Sequence, residues 1–280
     1  MSIRKILVPL TGNNGDALAL DAATYMANKL GARITGLHVR SSGDAALPFL
    51  GDTASGAVIE EIFDRIEAEA ESLAKKAESA FRTWADKAAL PGGVAPSYIE
   101  ASGDRDGLLA THARRCDLIV VRGPASEDDA GIAADIEAVL MGSGRPVLLV
   151  PEKVSENIAN KVIVAWNDSV ESSRATAAAM PLLEVADSVT VAGIKTHADD
   201  TLHLEPIADW INAHGAVADT SVIDAGNEEI SDILIQHTRR HDGALLVMGA
   251  YSHSRLREQV LGGVTQDILD YTEVPVLLVH

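Results

Sequence analysis

Short β-rich runs alternate along the chain with stretches in which apolar residues return every three or four positions. Residues 6–10, 33–39, 94–100 and 118–121 are β-rich runs. Between them, 16–30 sets Leu18, Leu20, Ala23, Met26, Ala27 and Leu30 near helical spacing, and 104–115 and 132–141 also read as helices. The stretch 58–87 is a long amphipathic helix through Ile59, Ile62, Ile66, Leu73, Ala77, Phe81 and Trp84, stopped by Pro91-Gly92-Gly93. A last apolar strand follows Pro146. The order is βαβαβαβαβ, and strands apolar on both faces alternating with helices predict a parallel sheet covered on each side.

The pattern then repeats, as 162–166, 169–183, 188–194, 203–214, 218–223, 228–240, 244–248, 264–271 and 276–279. Residue identities repeat with it. Arg145-Pro146-Val147-Leu148-Leu149-Val150-Pro151 returns as Val274-Pro275-Val276-Leu277-Leu278-Val279-His280, and Lys5-Ile6-Leu7-Val8 as Lys161-Val162-Ile163-Val164. Likewise Leu109 to Asp117 matches Leu234 to Asp242. The unit is far longer than the roughly 20–50 residues of a solenoid repeat, so each copy is expected to be a domain with its own core. The expected division is 1–151, a polar linker over 152–160, and 161–280. The second copy has no helix as long as 58–87. The terminal strands 146–150 and 275–279 are short apolar edges that would invite aggregation if left open. Their pairing within the chain is expected to create a pseudo-two-fold pseudo-dimer.

Composition narrows the partners. A net charge of -18 repels phosphate backbones and anionic lipid, so neither nucleic acid nor a membrane surface is expected to bind. No apolar run approaches the roughly 20 residues of a membrane span. With one cysteine, Cys116, and no secretory leader before Ile3, a soluble protein of the reducing cytoplasm is expected. Cys116 reads as a structural thiol.

Ligands of open parallel sheets bind beyond the carboxyl ends of the strands. The loops to inspect in the second copy follow Ala165-Trp166-Asn167, Ile194 and Met248. After Met248 come Gly249, Ser252, His253, Ser254 and Arg255, and Gly262, Gly263, Val264 and Thr265 open a helix. Glycines let backbone approach a ligand, amides at a helix start point at an anion, and His253, Ser254, Arg255 and Thr265 add donors. The same residues also suit a glycine-rich turn before a helix. Trp166 fits either a base pocket or the core.

On these residues the chain resembles the universal stress protein family in its tandem form, over nearly its whole length. The resemblance implies a Rossmann-like fold of the adenine-nucleotide-hydrolase type. It also implies a G-x2-G-x9-G-(S/T) motif after the fourth strand and an Asp at the end of the first strand facing the adenosine. Gly249 and Gly262 fit the motif; Ser252 replaces its second glycine, Gly263 its Ser/Thr, and Asn167 the Asp. The implied ligand is one adenine nucleotide per chain, ATP or AMP, accompanied by Mg. It would lie in the second copy with Asn167 and Ile194 at its adenosine end. Substituting Gly262→Asp is expected to abolish its binding. The family's dimers resemble the pairing of terminal strands, and a homodimer of the whole chain is a further option.

In the first copy Ala133 and Ala134 take the places of Gly262 and Gly263, and Thr11 that of the Asp. Measured from Gly123, the loop is three residues shorter. Glu127, Asp128 and Asp129 bring like charge where phosphate would lie, so this site reads as degenerate. The long helix 58–87 is expected to cover it or to form an oligomer contact. His237 and His241, four apart, suit a metal or, with Arg239 and Arg240 beside them, a solvated helix terminus. His197, His203, Asp199-Asp200 and Glu228-Glu229 read as surface.

Three functions remain: a nucleotide-binding stress-response regulator or partner-binding module, a weak ATPase or phosphotransfer enzyme, and a nucleotide-independent scaffold. Common NTPase, dehydrogenase and hydrolase motifs are absent, and only His253 lies near the loop as a base, which favours a binding protein over an enzyme.

Overall fold

The computed structural model describes residues 2–41, 56–124, 130–153, 155–197, 201–241, 244–251 and 263–280. In the first half the order is β1 (Lys5–Leu10), α1 (Asp16–Leu30), β2 (Arg33–Ser41), α2 (Gly56–Ala85), β3 (Ser97–Gly103), α3 (Arg105–Ala113), β4 (Leu118–Arg122), α4 (Ala130–Ser143) and β5 (Val147–Val150). The second half follows with β6 (Lys161–Ala165), α5 (Val170–Leu183), β7 (Ser188–Lys195), α6 (Glu205–Ala213), β8 (Ala218–Asp224), α7 (Ile230–Arg239), β9 (Ala244–Gly249), α8 (Gly263–Asp270) and β10 (Val276–Val279). Every strand and helix expected from the apolar pattern is present. β3 begins three residues later than its apolar run, just after Pro96, which has no N–H for the ladder with β2.

All ten strands form one sheet in the order β3-β2-β1-β4-β5-β10-β9-β6-β7-β8. Every pairing is parallel except the central one, where β10 runs antiparallel to β5 with Leu277 opposite Leu148. Those two leucines are equivalents in the repeat, so the pseudo-two-fold axis passes between them. The terminal strands therefore close each other's edges, as the repeat predicted. β1, β4, β5, β9 and β10 are buried on both faces, which only helices on each side allow.

One core lies under α1, α2, α5 and α6, the other under α3, α4, α7 and α8, and both run through the two halves. Residues 152–160 are not uniformly solvated: Ile158 and Ala159 are buried, and Asn160 accepts a hydrogen bond from Lys29 Nζ at 2.5 Å.

The carboxyl half of α2 belongs to the core, with Ala77, Phe81 and Trp84 buried, Phe81 against Trp84 and Tyr98, and Trp84 Nε1 donating to Thr24 Oγ1 at 3.1 Å. Among the α2 residues whose burial is described, Ala70 is the first that is buried, so the turns just before it contribute less to the core. At Gly12, whose φ is +82°, an added Cβ would lie 2.4 Å from the Leu73 carbonyl oxygen, so α2 rests directly on the loop after β1. The loop 45–57 that leads into α2 falls largely outside the described residues.

Candidate functional site

Beyond the carboxyl ends of the second half's strands lies a cleft of about 520 Å³. It collects Ala165, Trp166 and Asn167 from the end of β6, Ile194 from β7, Met248 and Gly249 from β9, and Gly263, Val264 and Thr265 from α8. The structure thus brings nine of the sequence-predicted residues together. Ser252, His253, Ser254, Arg255 and Gly262 lie outside the described residues. Sequence reasoning missed Ser169, Leu202, Ile230, Leu234 and Tyr251, which also line the cleft. Their signal was faint: Ile230 and Leu234 sit on one stripe of α7, and Ser169 is its helix's N-cap.

Local chemistry explains the shape. Ser169 caps α5, accepting from Ser172 N at 3.1 Å, while its own N–H donates to Ser172 Oγ. Asn167 Oδ1 accepts from Ser169 Oγ at 2.7 Å and from Ser169 N at 3.3 Å, so the side chain that replaces the family's Asp is anchored to the turn. Between them Asp168 has φ +58°, the left-handed conformation that Gly12 supplies in the first half. Thr265 is buried, and its Oγ1 accepts from Tyr251 N at 3.3 Å, which ties the loop after β9 to the start of α8. Trp166 both lines the cleft and packs against the core, so the two readings of it describe one position.

The two glycines serve different ends. A Cβ on Gly249 would lie 2.5 Å from Glu171 C and 2.7 Å from Ser172 N, so what approaches Gly249 closely is the first turn of α5. A Cβ on Gly263 would meet nothing within 4 Å among the described residues.

The strand ladders also correct the alignment of the halves. Ile6 pairs with Leu118, and its equivalent Val162 with Leu245, so Arg122 stands at the position of Gly249 and Gly123 one place later. Counted from Arg122, the first half's loop is two residues shorter, not three. A Cβ on Gly15 would lie 2.1 Å from Arg122 Cδ. Gly15 is the equivalent of Glu171, so helix and strand have exchanged their large and small partners between halves.

The first half has its own cleft, of about 490 Å³, lined by Thr11, His38, Arg40, Arg105 and Asp135 and, from α2, by Ile66, Glu69 and Leu73. The long helix thus covers the side expected of it. Arg105 and Asp135 form a two-pronged pair, Nε and Nη2 each 2.6 Å from a carboxylate oxygen, and Arg105 Nη1 donates to the Val39 carbonyl. Burial pulls the guanidinium's pKa down, yet the Asp135 carboxylate outweighs it and holds the group above its ordinary value. By repeat position Arg105 corresponds to Ile230 and Asp135 to Val264. One cleft is ionic where the other is apolar. Asp16, buried at the edge, accepts from Thr11 N, Thr11 Oγ1 and Gly12 N at 2.8–3.0 Å; burial raises its pKa against these bonds.

His237 and His241 stack edge to face at 5.2 Å at the end of α7, and no group of three or more metal-ligating side chains occurs among the described residues. Burial, then the neighbouring His241 and Arg240, lower the His237 pKa. A depressed histidine contributes stability that is complete above its unfolded value of 6.5 and is lost as pH falls below it. The urea midpoint is therefore expected to drop on acidification through that window, and His237→Gln to flatten the drop; an unchanged pH profile in the variant would refute the assignment.

A mostly parallel sheet with a cleft beyond its strand ends, built twice and joined edge to edge, defines a tandem α/β fold. Residues 159–280 match the model of the universal stress protein family, and this second half follows a first half of the same fold, joined to it edge to edge. A curated universal stress protein of Synechocystis sp. is 23% identical over 98% of this chain and 99% of its own length. Among solved structures, a universal stress protein from Archaeoglobus fulgidus DSM 4304 is 17% identical with a TM-score of 0.67, covering 99% of this chain and 96% of its own. A putative universal stress protein from Pseudomonas aeruginosa UCBPP-PA14, 16% identical, gives 0.56 over 99% and 93%. These two likenesses concern the fold. No helix among the described residues is long and apolar enough to cross a membrane.

Proposed function

We propose that the chain, organised as domains 1–151 and 161–280 about the segment 152–160, binds one adenine nucleotide of the ATP or AMP type in its second domain. It acts there as a stress-response regulator or partner-binding module of the cytoplasm. The observation that carries this reading is the second cleft itself. Trp166, Ile194, Ile230, Leu234, Met248 and Val264 give an apolar slot suited to a flat base, and α8 opens at its rim with Gly263, whose Cβ position is clear of the described residues. A phosphate would meet the amide end of α8, where the helix dipole favours negative charge. Mg would accompany a triphosphate rather than be held by a dedicated carboxylate set.

Calorimetry with AMP, ATP and cyclic AMP tests the proposal, together with mass spectrometry of small molecules released from freshly purified protein. A stoichiometry near one is expected. Gly263→Asp should abolish binding while leaving the melting temperature unchanged. Its Cβ meets none of the described residues, and an acid suits a helix's first turn, but its charge repels phosphate. Retained affinity in that variant, or two nucleotides per chain, would place the ligand elsewhere.

A further inference from the structure

The first half's cleft differs from the second in kind. His38 lines it, is buried, and has Nδ1 2.8 Å from the Leu10 carbonyl oxygen. A carbonyl can only accept, so Nδ1 carries the hydrogen, and in the neutral ring Nε2 is left with a lone pair. That atom is buried and has no hydrogen-bond partner among the described residues. In the second half the ladder puts Gly193 at this position, with Leu202 and Leu204 filling the space above it. An imidazole therefore replaces a hydrocarbon contact at the cleft floor, and its unmet acceptor is the kind of group that a ligand donor satisfies.

The remaining chemistry points the same way. Arg105 is committed to Asp135 and Val39, and Arg40 faces Glu100 at 3.7 Å. Glu69 on α2 and Asp106 on α3 also line the cleft, and neither forms an ion pair with a described residue. The buried carboxylate of Asp16 is taken up by Thr11 and Gly12. What the cleft offers a visitor is thus acceptors and surplus negative charge, flanked by Ile66 and Leu73, in a volume of about 490 Å³. A nucleotide phosphate would be repelled. A short apolar linker bearing N–H donors and positive charge would meet complements in Glu69, Asp106 and His38, while the cleft's own cations, Arg105 and Arg40, are turned to Asp135 and Glu100.

We propose that this cleft is a second ligand site, selective for a compact organic cation of the diamine class. The ammonium groups are held by Glu69 and Asp106, and an N–H is received by His38 Nε2. The inference does not depend on nucleotide binding in the other half. Calorimetry of the full chain with putrescine at physiological ionic strength should show saturable binding near one per chain, unaffected by prior addition of AMP. Glu69→Gln with Asp106→Asn should weaken it by roughly tenfold or more. Asp219→Asn with Asp224→Asn, which removes the same charge from the far edge strand β8, should change it less than about twofold, because exposed charges that distant are screened. His38→Phe, checked for an unchanged melting temperature, should also weaken it; if that variant unfolds, the two charge variants decide. Absence of saturable binding, or equal weakening by both charge variants, would show only attraction to an acidic surface and would overturn the proposal.

Discussion

Replacing Arg105 with isoleucine should destabilise the first half by about 3 kcal/mol, and replacing Asp135 with valine at the same time should restore most of the loss. Asp135 is 5% exposed, and its carboxylate is balanced by the two guanidinium nitrogens at 2.6 Å. Removing the arginine leaves that charge buried and alone, which costs far more than the pair contributes. The double variant Arg105→Ile with Asp135→Val installs the Ile230 and Val264 pair that the same architecture accepts in the second half. The Val39 carbonyl would still lose a donor, so a residual deficit of about 1 kcal/mol is expected. Thermal melts followed by circular dichroism should show the single variant lower by roughly 6–12 °C. A single variant as stable as the parent, or a double variant no better than the single, would show that the pair is not the buried unit its geometry describes.

Gly249→Arg should be strongly destabilising, and Glu171→Gly should relieve only the part of the loss that comes from the Glu171 Cβ. Even Gly249→Ala puts a Cβ 2.5–2.7 Å from backbone atoms of α5, so the helix must shift, at about 1–3 kcal/mol. Arginine adds its whole side chain to that collision. In the first half, however, Arg122 lies across Gly15 without difficulty, because the helix position carries no side chain. Transplanting both members should recover only part of the lost melting temperature, because the approach to Glu171 C and Ser172 N remains. Asn167, Ser169 and Ser172 hang on the same turn, so Gly249→Ala should also weaken the proposed nucleotide binding. If affinity falls while α5 keeps its place, Gly249 acts on the ligand directly; if the double exchange is no better than Gly249→Arg alone, the reciprocal packing is not the cause.

The pairing of large and small residues at these two positions was invisible in the chain. Gly249 looked like a motif glycine kept small for a ligand, and Gly123 like its counterpart, because the eye aligns glycine with glycine. The ladder instead aligned Arg122 with Gly249, and only the close approach of α1 and α5 revealed why one needs bulk and the other none. In the same way Trp166, Asn167, Ile194 and Met248 could be named from the ends of predicted strands, whereas Ile230 reaches the cleft from α7 and Leu202 from the irregular segment before α6.

Periodicity determined the elements, their alternation and the repeat, since strands buried on both faces and helices buried on one leave distinct, local apolar patterns. It also determined that β5 and β10 needed partners, because an open apolar edge is a property of the strand itself. Tertiary structure alone decided that the two clefts differ in chemistry. Arg105 and Asp135, 30 residues apart, become a buried pair only when α3 and α4 pack together. His38 acquires an unsatisfied nitrogen only when Leu10 claims the other. Such properties belong to distances between segments, and no window along the chain contains them.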